Sequence, residues 1–284
     1  MTTILSIQSS VAYGHVGNSA AAFLLMRMGV EVYPVLTVHY SNTTAYGTWR
    51  GPVLSVDDIR DVIQGVDERG ALTDVDAVLT GYQGSAAIGE AVLDAVALVR
   101  ERNPKAIYCC DPVMGDVGRG FFVAAGIPEM YRDRIVPQAD IITPNQFELE
   151  FLTGKPASTL SELLEAADAL RAKGPGTVLV TSAVTSDLNP DEVSMLAVST
   201  NGAWLVSTPQ LAPTFSGSGD ITAAAFLASF LELGSVPEAL AKTAAIVYSV
   251  LEITAESGHR ELRLVKAQDA IVHPTHSFAV RQIR

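Results

Sequence analysis

Ala77-Val-Leu-Thr80, then Ala86-Ala-Ile-Gly-Glu-Ala-Val-Leu-Asp-Ala-Val-Ala-Leu-Val-Arg-Glu-Arg102, then Ile107-Tyr-Cys-Cys110 is the stretch that decides the fold. A short apolar run, a longer amphipathic segment and a second apolar run read as strand, helix, strand. Two strands joined through a helix are parallel, because a parallel pair needs a crossover connection. The alternation continues in both directions. Toward the N-terminus, Ile4-Leu-Ser-Ile7 and Val32 to Val38 read as strands, and Gly17 to Met28 and Val56 to Glu68 as helices. Toward the C-terminus, Asp140-Ile-Ile-Thr143 and Val178-Leu-Val-Thr181 read as strands, and Gln146 to Leu152 and Leu160 to Lys173 as helices. The pattern predicts an α/β fold with a mostly parallel central sheet and helices on both faces.

The order changes near residue 190. Met195-Leu-Ala-Val-Ser199 and Trp204-Leu-Val206 flank Thr200-Asn-Gly-Ala203, and Asn-Gly between apolar runs signals a hairpin. Helices are expected from about Ser218 to Leu233 and from Pro237 to Ala255. No low-complexity linker, charge block or internal repeat interrupts the chain, so a single domain over residues 1–284 is expected.

Composition narrows the function classes. The 284 residues carry 19 Lys+Arg against 31 Asp+Glu, a net charge of −12. That excess argues against a partner such as nucleic-acid backbone, which needs a net basic face. It argues equally against a polybasic membrane-surface protein. With 48% hydrophobic and 18% charged residues, the chain is globular. Cys109 and Cys110 are neighbours on one strand, so they point to opposite faces and do not form a structural disulfide. Lone buried thiols fit a reducing compartment. Met1 to Gln8 has no basic start and soon turns polar, unlike a signal peptide. The apolar run from Ile221 to Leu231 ends at Glu232, short of the roughly 20 residues that span a bilayer. A soluble cytoplasmic protein is expected.

Ligands of open parallel sheets bind beyond the carboxyl ends of the strands. One candidate there is Ser216-Gly-Ser-Gly-Asp220, which leads into the helix former Ile-Thr-Ala-Ala-Ala-Phe. Two glycines allow a tight turn, and the helix start then presents unpaired N–H groups to an anion. Asp220 at its edge can orient a hydroxyl and take its proton; the plainer reading is a helix N-cap. The chain has no G-x-x-x-x-G-K-[ST] loop, and Gly217 to Thr222 lacks the third glycine of a dinucleotide fingerprint.

Asp111 and Asp116 flank Pro-Val-Met-Gly after one strand, and Asn145 and Glu148 open a helix after another. Asn-x-x-Glu reads equally as a capping box. At the sheet's carboxyl edge these groups also offer hard oxygen ligands suited to Mg²⁺, directly or through water. His39-Tyr-Ser-Asn-Thr-Thr-Ala-Tyr-Gly-Thr-Trp49 reads as a loop rich in aromatics and hydroxyls, able to cover a flat heteroaromatic ligand or simply to pack. Tyr82 is open to the same two readings. His273 and His276 lack further ligands for a metal site. No HExxH or GxSxG motif is present.

In that order, Gln8-Ser-Ser-Val-Ala-Tyr-Gly-His-Val-Gly-Asn-Ser19, Asp111-Pro-Val-Met-Gly-Asp116, Ala139-Asp-Ile-Ile-Thr-Pro-Asn-Gln-Phe-Glu-Leu149 and Gly217-Ser-Gly-Asp220 resemble the motifs of the pyridoxal kinases. The resemblance runs from about residue 3 to about residue 272. It implies a ribokinase-like three-layer sandwich. It also implies transfer of a phosphoryl group from MgATP to the 5′-hydroxymethyl group of pyridoxal, with pyridoxine and pyridoxamine as further substrates. By the same carry-over Ser9, His39, Thr44, Ala45 and Tyr82 surround the vitamin. Asp220 is the base, and the amides of Gly217, Ser218 and Gly219 form the anion hole. Asp111, Thr143, Glu148, Thr181 and Ser182 face the nucleotide phosphates and metal. Asp116, Asn145 and Glu148 serve the cation, and Thr208-Pro-Gln-Leu211 (Thr208, Pro209, Gln210, Leu211) lies along the adenosine. A homodimer is implied as well.

Some relatives place a lysine where Thr181-Ser182 stand here, and a basic residue within the stretch matching Thr208 to Leu211. Both places are uncharged in this chain. Magnesium, with K⁺ or another monovalent cation, is then expected to matter more. The enzymatic rival is a hydroxymethylpyrimidine kinase of the same superfamily. Kinases of that type often carry Cys where Asp220 stands and lack the Tyr-Gly-His-Val-Gly-Asn stretch. The non-enzymatic rival is a carrier of vitamin B6 or its phosphate.

Overall fold

Alternation along the first strand, β1 (Thr3–Val11), divides the side chains between two cores. Ile4 packs into one, Leu5 and Ile7 into the other. Period two does this on any pleated strand buried on both faces. Cys109 and Cys110 divide in the same way and stay unpaired.

The computed structural model describes residues 1–284. After β1 come α1 (Asn18–Arg27), β2 (Glu31–Tyr40), α2 (Val56–Asp67), β3 (Ala77–Thr80), α3 (Ala86–Arg102) and β4 (Ile107–Cys110). A small hairpin, β5 (Gly115–Asp116) and β6 (Gly120–Phe121), precedes α4 (Ile127–Met130) and β7 (Ile141–Ile142). Then follow α5 (Gln146–Thr153), α6 (Leu160–Arg171), β8 (Thr177–Ala183), β9 (Glu192–Ser199) and β10 (Gly202–Pro209). The chain ends with α7 (Ser218–Leu233), α8 (Val236–Glu256), α9 (Gln268–Val272) and β11 (Arg281–Gln282).

The main sheet has the order β11-β10-β9-β8-β7-β4-β3-β1-β2. The six strands from β8 to β2 are mutually parallel. Strands β9, β10 and β11 add to it antiparallel. Helices α2, α3, α5 and α6 cover one face, and α1, α7, α8 and α9 the other. Helix α3 shows why: Ile88, Ala91, Val92, Ala95, Val96 and Val99 recur every three or four residues and are buried as one stripe. The mostly parallel three-layer α/β sandwich is the fold expected. No helix is long and apolar enough to cross a membrane.

Differences from the expected elements have local causes. The β9–β10 hairpin extends to Glu192 and Pro209, because ladder bonds continue into polar residues beyond the apolar runs. Strand β2 continues through His39 and Tyr40, two residues past the apolar run. Beside it the chain returns, with the His39 N–H donating to the Pro52 carbonyl at 3.0 Å and the Leu54 N–H to that of Thr37 at 3.0 Å. That return covers the edge of β2, an edge otherwise open to pairing with another chain.

Candidate active site

Strands β1, β2, β3, β4, β7 and β8 end along one rim, and the loops that follow them enclose a cavity of about 690 Å³. Ser9, Thr44, Ala45 and Tyr82 line it, as do Asp111, Asp116, Thr143, Asn145 and Glu148. So do Thr181, Ser182, Gln210, Gly217, Ser218, Gly219 and Asp220. A narrower annex of about 150 Å³ holds Thr208, Pro209 and Leu211 and shares Thr181, Ser182, Ser218 and Gly219 with the main cavity. Residues from widely separated motifs thus meet at one place.

His39 is the exception. Val38 and Tyr40 face the cavity while His39 is exposed on the other side. The residue sits within a strand rather than a loop, and strand alternation turns it away.

One end of the cavity is apolar. Val11, Val38 and Tyr40 form a small buried cluster, with Val16 and Tyr82 packed against it. Burial beside Tyr40 pushes the Tyr82 hydroxyl up to about 12, so it stays protonated and can donate. Gly17 follows with φ +53, and a Cβ there would strike the Ser9 carbonyl and hydroxyl oxygens. Only glycine permits that approach. Across the mouth, Arg260 donates to the Ala45 carbonyl at 2.8 Å and lies over the Tyr46 ring at 3.9 Å. The annex is apolar too, walled by Met195, Leu211, Val247, Tyr248 and Leu251. It suits a flat ring system.

Between the two apolar ends lies the start of α7. Gly217 has φ +92 and no side chain caps the helix. A Cβ at Gly217 would collide with the His15 carbonyl oxygen. The Ser218 N–H reaches the Phe215 carbonyl over 3.4 Å, whereas the N–H groups of Gly217, Gly219 and Asp220 donate to no backbone acceptor. Of the expected amides, those of Gly217 and Gly219 are thus left without a backbone acceptor, that of Ser218 is partly spent, and that of Asp220 is left free beside them. The Asp220 carboxylate opens to the cavity but is set deep in protein. Burial raises its pKa above the ordinary carboxylate range, and the Gly17 N–H opposes the shift.

Asp111 is buried. One of its oxygens accepts from the Thr143 hydroxyl at 3.2 Å, and the other, Oδ2, has no partner. Burial first, then the charges of Glu148 and Asp220, push its pKa well up. Glu148 is pushed up by burial as well, although its carboxylate accepts from the Met114 N–H at 2.9 Å and the Asn145 N–H at 2.9 Å. Asn145 proves to be the cap: its Oδ1 accepts from the Glu148 N–H at 2.9 Å and its Nδ2 donates to the Gly115 carbonyl at 2.7 Å. Both ends of that amide are engaged, which leaves the second lone pair of Oδ1 for a cation. Asp116 is exposed, and one of its oxygens accepts from the Val117 N–H.

No three His, Cys, Asp or Glu side chains converge as a metal cage. An unpartnered buried carboxylate oxygen beside a second raised carboxylate still fits a hard cation that keeps most of its ligands from water and phosphate. His276 lies far along the chain from these motifs and pairs with Glu252 at 2.6 Å, against Tyr248 and Phe278.

The sequence reading missed the two cationic side chains that line the cavity, Arg119 and Arg260. Each stands in an aperiodic loop with no motif around it. It also missed the annex wall from α8, where Val247, Tyr248 and Leu251 belong to a long amphipathic helix that reads as ordinary core.

Comparison with known proteins places this geometry. The family model described as phosphomethylpyrimidine kinase matches residues 54–264. The chain is 54% identical over 280 residues to a pyridoxal kinase of Leifsonia xyli subsp. xyli, covering 99% of each chain. It is 54% identical over 281 residues to a pyridoxal kinase of Rubrobacter xylanophilus, covering 99% of this chain and 97% of that one. The solved pyridoxal kinase of Leishmania donovani, in complex with ADP and pyridoxamine, superposes with a TM-score of 0.92 at 30% identity, covering 100% of both chains. The family-model match begins at residue 54 and leaves out Gln8 to Ser19, whereas the match to the Leifsonia relative covers 99% of this chain. The chain belongs to the pyridoxal kinase family, enzymes of ribokinase-like α/β fold.

Proposed function

We propose that this protein transfers the γ-phosphoryl group of ATP to the 5′-hydroxymethyl group of pyridoxal in the cytoplasm. The observation that carries the reading is the position of the α7 N-terminus. Ser218 and Gly219 line both the apolar annex and the main cavity, so the free amides stand at the junction of two sites for flat rings. A phosphoryl group held there faces an acceptor on one side and a nucleoside on the other.

The roles follow. Tyr82, Tyr40, Val11 and Val16 enclose the pyridine ring, with Ser9, Thr44 and Ala45 at its edge. Asp220 accepts the proton of the 5′-hydroxyl as that oxygen bonds to the γ-phosphorus and the bond to the bridging β–γ oxygen breaks. A loose phosphoryl-transfer transition state needs positioning and charge neutralisation more than a strong base. The N–H groups of Gly217, Gly219 and Asp220 hold equatorial phosphoryl charge without reorganising. Magnesium bound with the nucleotide would neutralise phosphate charge, and Asp111 and Glu148 are the residues suited to hold it, with Asp116 acting through water. Thr143, Thr181 and Ser182 offer hydroxyls to the phosphates, Thr208, Pro209 and Leu211 flank the nucleoside in the annex, and Gln210 reaches it from the main cavity. A homodimer belongs to the same reading, and a monomer by light scattering at assay concentration would remove it.

Asp220→Ala tests the base. Removing a positioned proton acceptor costs about 10²–10⁴-fold, so turnover should fall by that much while pyridoxal affinity is retained. Near-wild-type turnover would reject Asp220 as the base.

A further inference from the structure

The cavity is short of positive charge for a nucleotide. Asp111, Asp116, Glu148 and Asp220 line it, and a triphosphate adds several more negative charges. Its two cationic side chains, Arg119 and Arg260, are not equally free. Arg260 is bound to the Ala45 carbonyl and the Tyr46 ring at the vitamin-side mouth. Arg119 has no carboxylate partner, and its side chain donates no hydrogen bond within the protein. Its guanidinium is held only by stacking, 4.7 Å from the centre of the Phe122 ring. Stacking orients an arginine without using any of its N–H donors.

The hairpin that carries it is fixed at its base and has open space around its tip. At the base, Glu148 accepts from the N–H groups of Met114 and Gly115, and Asn145 donates to the Gly115 carbonyl. The Phe121 ring packs edge-on against Phe147 and Phe151. At the tip, Gly118 and Gly120 flank Arg119 with φ +77 and +72, and nothing lies within 4 Å of where a Cβ would stand on either. The base ties the hairpin to the residues beside Asp111 and Thr143, the phosphate half of the cavity, and not to the vitamin half.

We propose that Arg119 is the phosphate-binding cation of this enzyme, presented to the nucleotide's phosphates from the hairpin and supplying the charge that Thr181-Ser182 and the 208–211 stretch lack. The inference rests on the kinase reading above. A guanidinium can meet two phosphate oxygens at once, a geometry lysine does not reproduce.

Calorimetry on the full chain tests it with three probes: MgADP, adenosine and pyridoxal. A charge-assisted hydrogen bond contributes enough that Arg119→Ala should weaken MgADP about tenfold to a hundredfold. Adenosine and pyridoxal affinities and the thermal midpoint should stay at wild-type values, and Arg119→Lys should recover only part of the loss. In turnover, KM for ATP should rise with KM for pyridoxal unchanged. MgADP binding within twofold of wild type in Arg119→Ala would overturn the proposal. Equal weakening of adenosine and MgADP would also overturn it, since that marks a merely structural hairpin. Failure of the wild-type protein to bind MgADP would instead defeat the kinase reading, and the inference with it.

Discussion

Gly17 shows how one residue ties sequence to site. It has φ +53, and any side chain there would press on the oxygens of Ser9, at the end of β1, and displace the start of α1. Gly17→Ala should therefore lower both stability and vitamin affinity; strain of this kind costs about 1–3 kcal/mol. Thermal melts and pyridoxal titration check it, and a variant with wild-type values of both would contradict the role. Asp220 gives a second prediction at this scale. Its raised pKa means that it holds a proton to higher pH than an ordinary carboxylate. A protonated Asp220 cannot accept the hydroxyl proton, so turnover should fall as pH drops through that raised value. The acid limb of the pH–rate profile should lie above the usual carboxylate range, and a limb at or below it would contradict the assignment.

At the scale of elements, the capping box of α5 does two tasks. Asn145 and Glu148 cap the helix reciprocally, and both also hold the β5–β6 hairpin. Asn145→Ala removes a cap, at about 0.5–2 kcal/mol, and also frees the Gly115 carbonyl. The thermal midpoint should fall and MgADP binding should weaken with it, whereas a capping role alone would leave MgADP binding intact. Motif and cap were both legible in Asn-x-x-Glu; the pattern could not say that the Asn145 amide also holds the Gly115 carbonyl. Elements with a long apolar period were legible to within a few residues, as α3 and α7 show. The hairpin was not, because strands of two residues carry no period. His39 failed for the opposite reason. Main-chain pairing with residues 50–54 carried β2 past its last apolar residue, and strand alternation then set the side-chain direction.

For the whole molecule, the net charge of −12 acquires a local meaning. Part of that excess is three carboxylates, Asp111, Glu148 and Asp220, all with pKa values raised first by burial. The folded state holds their protons more tightly than the unfolded chain does. Their contribution to stability is therefore full below the unfolded carboxylate range and is lost as pH rises through the folded values. Asp111→Asn removes one such group. Relative to wild type, this variant should gain thermal stability as pH rises, and added Mg²⁺ should narrow the gap by stabilising wild type only. A gap independent of both pH and Mg²⁺ would mean that the buried carboxylate carries no such cost.

The central claim is the reaction and its acceptor. A steady-state kinase assay should offer pyridoxal and hydroxymethylpyrimidine in competition, with MgATP as donor. The aromatic pocket, Asp220 and the Gln8 to Ser19 stretch predict phosphorylation of pyridoxal with a clear preference in kcat/KM. A preference for the pyrimidine, or vitamin binding without any transfer, would contradict it.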